Sequence, residues 1–490
     1  SRQNGLWGST STWSLTGHTV TNPPSTAPGA NDIVIIGGND SIWLATENPP
    51  LPINDNNIAL PYYGRDKAIV NCASLQIEKG SVLDIQNNPG STFASVLNHP
   101  SGNGKIRLTT RSSGDFDNPE YFVYPNGDFS EFSLNDGISE FYSINPEAGR
   151  YYILPSNADE YGTVIMTPLR GSNIILPNIP QVTINGDLIC NGSDADAWLA
   201  MTWNGIYGTI VEKTVIVRGS LLVAGGSFGF IYNGTRLQRI NIDGDVFIAP
   251  GAGIDVWNNS TNNIMSIGGS VYNNSNNTVP RPSGSPSVMR FLSGSNQCSV
   301  IFTGNRSTVV TNNPALSTTP VTVFNNVTID KGNSPDTTIT WNIGGNLSTP
   351  VNNWLTLVNG TLAYDRTGDF FISTTTDFTI PATAGLTINT PSNVYISNSA
   401  SPETLYLHGR LRILTGGGNT YIGPSGNTGN NADIEYSGSG ASLLDVQSGN
   451  LFVNGQVRRP LASTNGILAY RQAGGNVFIF GNNANQAKAK

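Results

Sequence analysis

Along the whole chain, short runs in which apolar and polar residues alternate are separated by clusters of Gly, Asn, Ser, Pro and Asp. Period-two alternation is what a strand with one buried face requires, and no convincing 3.6-residue period interrupts it. The clearest unit sets apolar residues two and four positions before a glycine and two and four positions after it. It reads Val182, Ile184, Gly186, Leu188, Cys190; Val215, Val217, Gly219, Leu221, Val223; Ile240, Ile242, Gly244, Val246, Ile248; and Leu405, Leu407, Gly409, Leu411, Ile413. Chance gives about one such match at this composition, so four point to a repeat. Partial copies surround Gly269 (Met265, Ile267, Val271), Gly345 (Trp341, Ile343, Leu347), Gly360 (Val358, Leu362, Tyr364) and Gly449 (Leu451, Val453).

Because side chains alternate across a strand, the central glycine shares a face with the four apolar residues and points into the same core. Lacking a Cβ, it lets the chain turn a corner where the interior is crowded, so one unit serves two walls of a coil. Gly186, Gly219, Gly244 and Gly269 are 33, 25 and 25 residues apart, a solenoid period. A string of β-sandwiches needs regular hairpin turns, and a propeller needs a blade signature every 40 to 50 residues or so; neither is seen. The expected fold is all-β, a right-handed parallel β-helix with loop excursions. At about 25 residues per coil and about 4.8 Å per stacked strand, the chain makes about 18 to 20 coils, a rod of roughly 90 Å. Residues 1–70 are expected to form a Trp-rich amino-terminal cap with the first strands. Residues 71–490 form the β-helix, with an acidic, aromatic-rich portion at 112–160.

Composition sharpens this. Charged residues make up 12% of the 490, against roughly 25% in ordinary soluble proteins, while Gly numbers 55, Asn 59, and Lys and Glu together only 17. That favours turns over exposed helix faces. The most apolar long stretch, Gly219 to Tyr232, is too short and too rich in Gly to cross a bilayer, so no membrane insertion is expected. A net charge of −8 with no Lys/Arg cluster disfavours nucleic acid as a partner. Cys72, Cys190 and Cys298 lie more than a hundred residues apart, which suits buried free thiols rather than a disulfide framework or a metal site. The opening Ser1-Arg2-Gln3-Asn4-Gly5 lacks an initiator Met and an apolar leader core, as expected of a mature exported chain.

The amino-terminal segments carry a resemblance. Trp7, Ser11-Thr12-Trp13, Pro28 and Asn31-Asp32-Ile33-Val34-Ile35 are followed by Cys72-Ala73-Ser74-Leu75-Gln76-Ile77 and Gly80-Ser81-Val82-Leu83-Asp84-Ile85. In this order they resemble the openings of secreted and cell-surface β-helix proteins of Bacteroidota that are exported by the type IX secretion system, gliding-motility adhesins among them. The resemblance covers most of residues 1–190. It implies extracellular, outer-membrane-associated display, contact with the type IX machinery and a role in attachment or gliding. That group's carboxy-terminal sorting domain is not visible before Lys490, and residues Ala484 to Lys490 supply no solenoid cap, so a longer, filament-like protein is expected. The resemblance also implies O-glycan acceptors at Ser41, in Asp40-Ser41-Ile42, and at Thr337, in Asp336-Thr337-Thr338.

Candidate chemistry concentrates in residues 112–160, which hold ten carboxylates against the single cation Arg150, together with ten aromatics. Asp115, Asp117, Glu120, Tyr121, Asp128 and Glu131 form the candidate binding patch. Carboxylates beside aromatic faces suit a glycan or a calcium ion; the alternative is aromatic packing beneath a solvated acidic loop. No cofactor besides calcium is indicated. Catalysis has little support, since the only histidines are His18, His99 and His408, and no clustered set of Asp, Lys, Arg or His is apparent. The sequence therefore points to a non-catalytic adhesin or structural protein. A polysaccharide lyase or hydrolase on the same scaffold is the alternative, and converging charged residues on one coil face would favour it.

Overall fold

The computed structural model describes residues 1–44, 72–86, 101–109, 119–122, 124–125, 127–143, 149–169, 171–194, 196–203, 210–231, 236–257, 262–275, 289–293, 296–312, 322–343, 347–350, 353–373, 376–396, 403–414, 418–425, 432–436, 441–460 and 466–481. Strands dominate; the helical pieces among these residues are one turn of 3-10 helix, Thr10–Thr12, and one short α-helix, Ser130–Leu134. The chain is a parallel β-helix. It divides into two compact units, Ser1–Thr261 with Thr278–Ser287, and Asn262–Asn277 with Val288–Lys490.

In the first unit three walls enclose a core. One wall stacks Val82–Gln86, Lys105–Leu108, Ile138–Tyr142, Thr163–Thr167, Leu188–Asn191, Leu221–Gly225 and Val246–Ile248 in parallel register. A second stacks Glu160–Tyr161, Gln181–Ile184, Lys213–Val217 and Gln238–Ile242. A third stacks Glu120–Tyr121, Tyr151–Ile153, Asn173–Ile175, Trp198–Ala200, Ser227–Ile231 and Gly253–Trp257. The amino-terminal tryptophans pack edge to face, Trp7 on Trp13 at 5.1 Å, and Trp13 Nε1 donates to Trp7 O at 2.8 Å. Strands Gly5–Leu6 and Ser41–Trp43 already belong to the first wall.

The second unit repeats the plan. In one of its walls Leu362, Leu386, Leu411, Leu444 and Tyr470 lie directly over one another, 24, 25, 33 and 26 residues apart. Another joins Phe378–Ile380, Leu405–Leu407, Ile434–Glu435 and Val457–Arg458. The third joins Phe370–Ser373, Val394–Ile396, Asn419–Ile422, Asn450–Val453 and Asn476–Ile479. One departure from parallel order is the antiparallel pairing of Leu292–Ser293 with Asn296–Phe302.

The glycine repeat does what its spacing predicts. All sixteen apolar residues of the four full copies are buried. Gly186, Gly219 and Gly244 sit between the strands of two walls and stack on one another, Gly219 N–H donating to Gly186 O at 2.9 Å and Gly244 N–H to Gly219 O at 2.8 Å. A Cβ on Gly244 would fall 2.5 Å from Gly219 O, so only glycine allows this approach. Gly360 is different. It turns a corner at φ +79° inside one long strand, Leu355–Tyr364, just after a register shift that makes Val358 the extra residue opposite Ile329/Asp330. That bulge resets the alternation, so Leu357 points inward and Val358, expected in the core, is 39% exposed.

Each unit also buries a lysine. Lys213, 1% exposed, donates from Nζ to Met201 O at 2.7 Å and Leu176 O at 3.3 Å. Burial pulls its pKa down from 10.5 to about 7. Lys331 donates to the carbonyls of Gly268 and Thr303, and burial, aided by the charge of Arg306, lowers it to about 8.

Candidate functional site

Within 112–160 the aromatics form a packed cluster rather than a row of open faces. Phe122, Tyr124, Phe129, Phe132, Phe141, Tyr142 and Tyr152 are buried. Tyr124 meets Phe129, Phe141 and Tyr161 at centroid distances of 4.9 to 6.3 Å, and its hydroxyl pairs with Ser139 Oγ at 2.9 Å. Burial pushes the Tyr124 hydroxyl pKa up to about 12. Of the candidate patch, Tyr121 is 55% exposed beside half-buried Glu120 in the edge strand Glu120–Tyr121. Asp128 and Glu131 lie at the start of the short helix, where Ser130 N–H donates to Asp128 Oδ1 at 2.9 Å. Asp115 and Asp117 lie outside the described residues.

Among the described residues, four charged side chains converge on the outer face of the first unit's first wall. Asp84, Arg107 and Glu140 occupy successive rungs in one column. Arg107 bridges the two acids, from its terminal nitrogen to Asp84 Oδ2 at 3.3 Å and from Nε to Glu140 Oε2 at 3.2 Å. Lys105 Nζ reaches Glu140 Oε2 at 2.8 Å. Tyr142 donates its hydroxyl to Asp84 Oδ1 at 3.1 Å while the Arg107 guanidinium lies 4.4 Å from the centre of its ring. Burial opposes the Arg107 charge, but Asp84 and Glu140 outweigh it and hold the guanidinium above its usual range. Two acids and two bases thus neutralise each other.

The sequence reading missed this network because its members are 23 and 33 residues apart. The usable signal was parity. Asp84, Arg107 and Glu140 each precede an inward apolar residue, Ile85, Leu108 and Phe141, and so share the outer face.

A second outer feature occupies the second unit. Phe371, Tyr395, Tyr421, Phe452 and Phe478 stack at 4.6, 5.0, 4.9 and 4.8 Å with near-parallel rings. Two residues before them, Asn419 donates to Asn393, Asn450 to Asn419 and Asn476 to Asn450, at 3.0, 2.9 and 3.0 Å. Each interior ring covers the face of the next, so between its ends the column turns ring edges rather than faces outward.

Ser41 is half-buried beside buried Asp40, which pairs with His18 at 3.2 Å. Thr337 is half-buried beside Asp336, whose hydrogen bond and ion pair with Arg410, 2.7 Å apart, hold it below the usual carboxylate range. Among the described residues no group of three or more His, Cys, Asp and Glu side chains is placed to hold a metal ion, and no helix is long and apolar enough to cross a membrane. No family model, curated protein or solved structure matches the chain.

Proposed function

We propose that the protein is a non-catalytic, surface-displayed β-helix that serves as an adhesin or structural shaft. The observation that carries this reading is that outward polar and aromatic groups bond from rung to rung. The ion ladder Asp84–Arg107–Glu140 and the Asn393–Asn476 amide ladder hold coils together. Export by the type IX machinery, outer-membrane display and a part in attachment or gliding rest on the likeness of the opening motifs. Glycans are the proposed contact class at the cell surface.

A second reading, a polysaccharide-degrading enzyme, is favoured by the convergence of Lys105, Arg107, Asp84 and Glu140 on one coil face. Two measurements decide. The purified chain, incubated with neutral and acidic polysaccharides, is expected to release no reducing ends, and protease shaving of intact producing cells is expected to remove it. Sugar release that disappears in Arg107→Ala would replace the first reading with the second. A chain protected inside intact cells would overturn surface display.

A further inference from the structure

Among the described residues, the amino-terminal cap has a sheet edge without a strand partner beside a cleft. Strand Ile33–Ile36 pairs in parallel with Ser74–Ile77. Ala73 N–H donates to Asp32 O at 2.9 Å and Glu78 N–H to Ile36 O at 2.8 Å. Alternation therefore turns the main-chain groups of Ile33, Ile35 and Gly37 to the opposite edge. Among the described residues no strand pairs there. Ser1 touches it, its hydroxyl bridging Gly37 N–H and C=O at 3.1 and 3.2 Å and its nitrogen donating to Ile35 O, and Asp40 N–H closes a turn onto Gly37 O at 3.1 Å.

Along this edge runs a cleft of about 660 Å³, walled on its far side by residues between Trp13 and Pro28. That wall is fixed by the Trp13–Trp7 bond and by His18, which lies against Gly38 and pairs with Asp40. The floor is apolar and open, with Ile33 73%, Leu15 70% and Ile35 45% exposed. The ionisable side chains of the lining are Asp32, Glu78 and His18. The two acids stand at opposite ends of the edge, Asp32 just before the strand and Glu78 beside Gly37, five residues or roughly 16 Å apart.

We propose that this cleft binds an extended polypeptide segment of a partner protein by strand addition to Ile33–Ile36. The segment presents apolar side chains at alternate positions to Ile33 and Ile35 and a Lys or Arg at each end to Asp32 and Glu78. An unpaired edge supplies main-chain affinity, the exposed isoleucines select alternate side chains, and the acids select charge. The added strand takes over the bonds Ser1 makes to Ile35 and Gly37. None of this depends on whether the solenoid is an adhesin.

The probes are two labelled heptapeptides, acetyl-Lys-Thr-Val-Thr-Val-Thr-Lys-amide and its counterpart with Glu at both ends, titrated against the full chain by fluorescence anisotropy. The Lys peptide is expected to bind in the micromolar range and the Glu peptide at least about tenfold more weakly. Combining Asp32→Asn with Glu78→Gln is expected to remove that preference while leaving the circular dichroism spectrum unchanged. A Lys peptide N-methylated at both valines, which keeps its charges and side chains but loses two main-chain donors, is expected not to bind. Equal binding of the two peptides, unimpaired binding of the methylated one, displacement by a neutral oligosaccharide at equal potency, or no binding of the Lys peptide at 1 mM would each overturn the proposal.

Discussion

Replacing Lys213 by Met tests how the interior tolerates charge. In the folded chain burial holds this amine at about 7 instead of 10.5. A lysine depressed in this way carries a stability penalty that is fully present below pH 7, where it is charged both folded and unfolded. The penalty falls as pH rises from 7 to 10.5, because there the unfolded chain binds the extra proton. At about 1.4 kcal/mol for each tenfold change in the proton equilibrium, the penalty reaches about 5 kcal/mol at most. Lys213→Met removes the charge but leaves the carbonyls of Leu176 and Met201 without that donor, at a cost of about 1–3 kcal/mol each. The variant is therefore expected to match or exceed the parent at pH 6 and to fall below it at pH 10, where the neutral amine still donates. Urea unfolding followed by tryptophan fluorescence suits the measurement, since Trp198 and Trp203 lie in a buried cluster on the two sides of Met201 in sequence. The quantity to plot is the difference between the two proteins against pH, which cancels every other titration. A difference that stays flat from pH 6 to 10 would refute the argument.

Other substitutions probe other layers. Gly409→Ala puts a Cβ about 2.1 Å from Pro381 O and 2.2 Å from Ala384 O; urea denaturation is expected to show a loss above about 2 kcal/mol. Arg107→Ala takes the cation from buried Asp84 and leaves Glu140 with Lys105 alone, and is expected to cost about 3 kcal/mol, whereas Arg107→Ala combined with Asp84→Asn recovers part of it in a double-mutant cycle. Burial pushes the Cys190 thiol up to about 12 and Cys72 to about 11, so Ellman's reagent at pH 8 is expected to leave Cys72, Cys190 and Cys298 unmodified until denaturant is added.

The fold was legible because one rule, alternation about a glycine, repeats with few interruptions. Val182, Ile184, Leu188 and Cys190 are buried in the way their spacing requires. Gly360 turns a corner as its spacing suggests, between a segment paired with Asn326–Asp330 and one paired with Ala384–Ile388, but the extra residue Val358 just before it shifts parity by one, which the sequence pattern does not show. The aromatics of 112–160 stood out by number, but their count does not say which way they point; Tyr124, Phe129 and Phe141 turned inward onto each other. The ladder Asp84–Arg107–Glu140 went unread because contacts across coils join residues dozens of positions apart, and the unequal separations of 23 and 33 hide the alignment that parity alone would suggest.

The stacked corners also limit how such a chain can change length. Gly186, Gly219 and Gly244 tolerate no side chain between successive turns, so a coil can be lost or duplicated only as a complete unit, glycine to glycine. Removing the 25 residues Gly219–Asp243 would rejoin like to like, whereas removing the 12 residues Gly219–Phe230 would set Ile231 where the turn beneath admits a hydrogen atom. Growth in whole units, with free variation confined to the excursions, is built into the geometry.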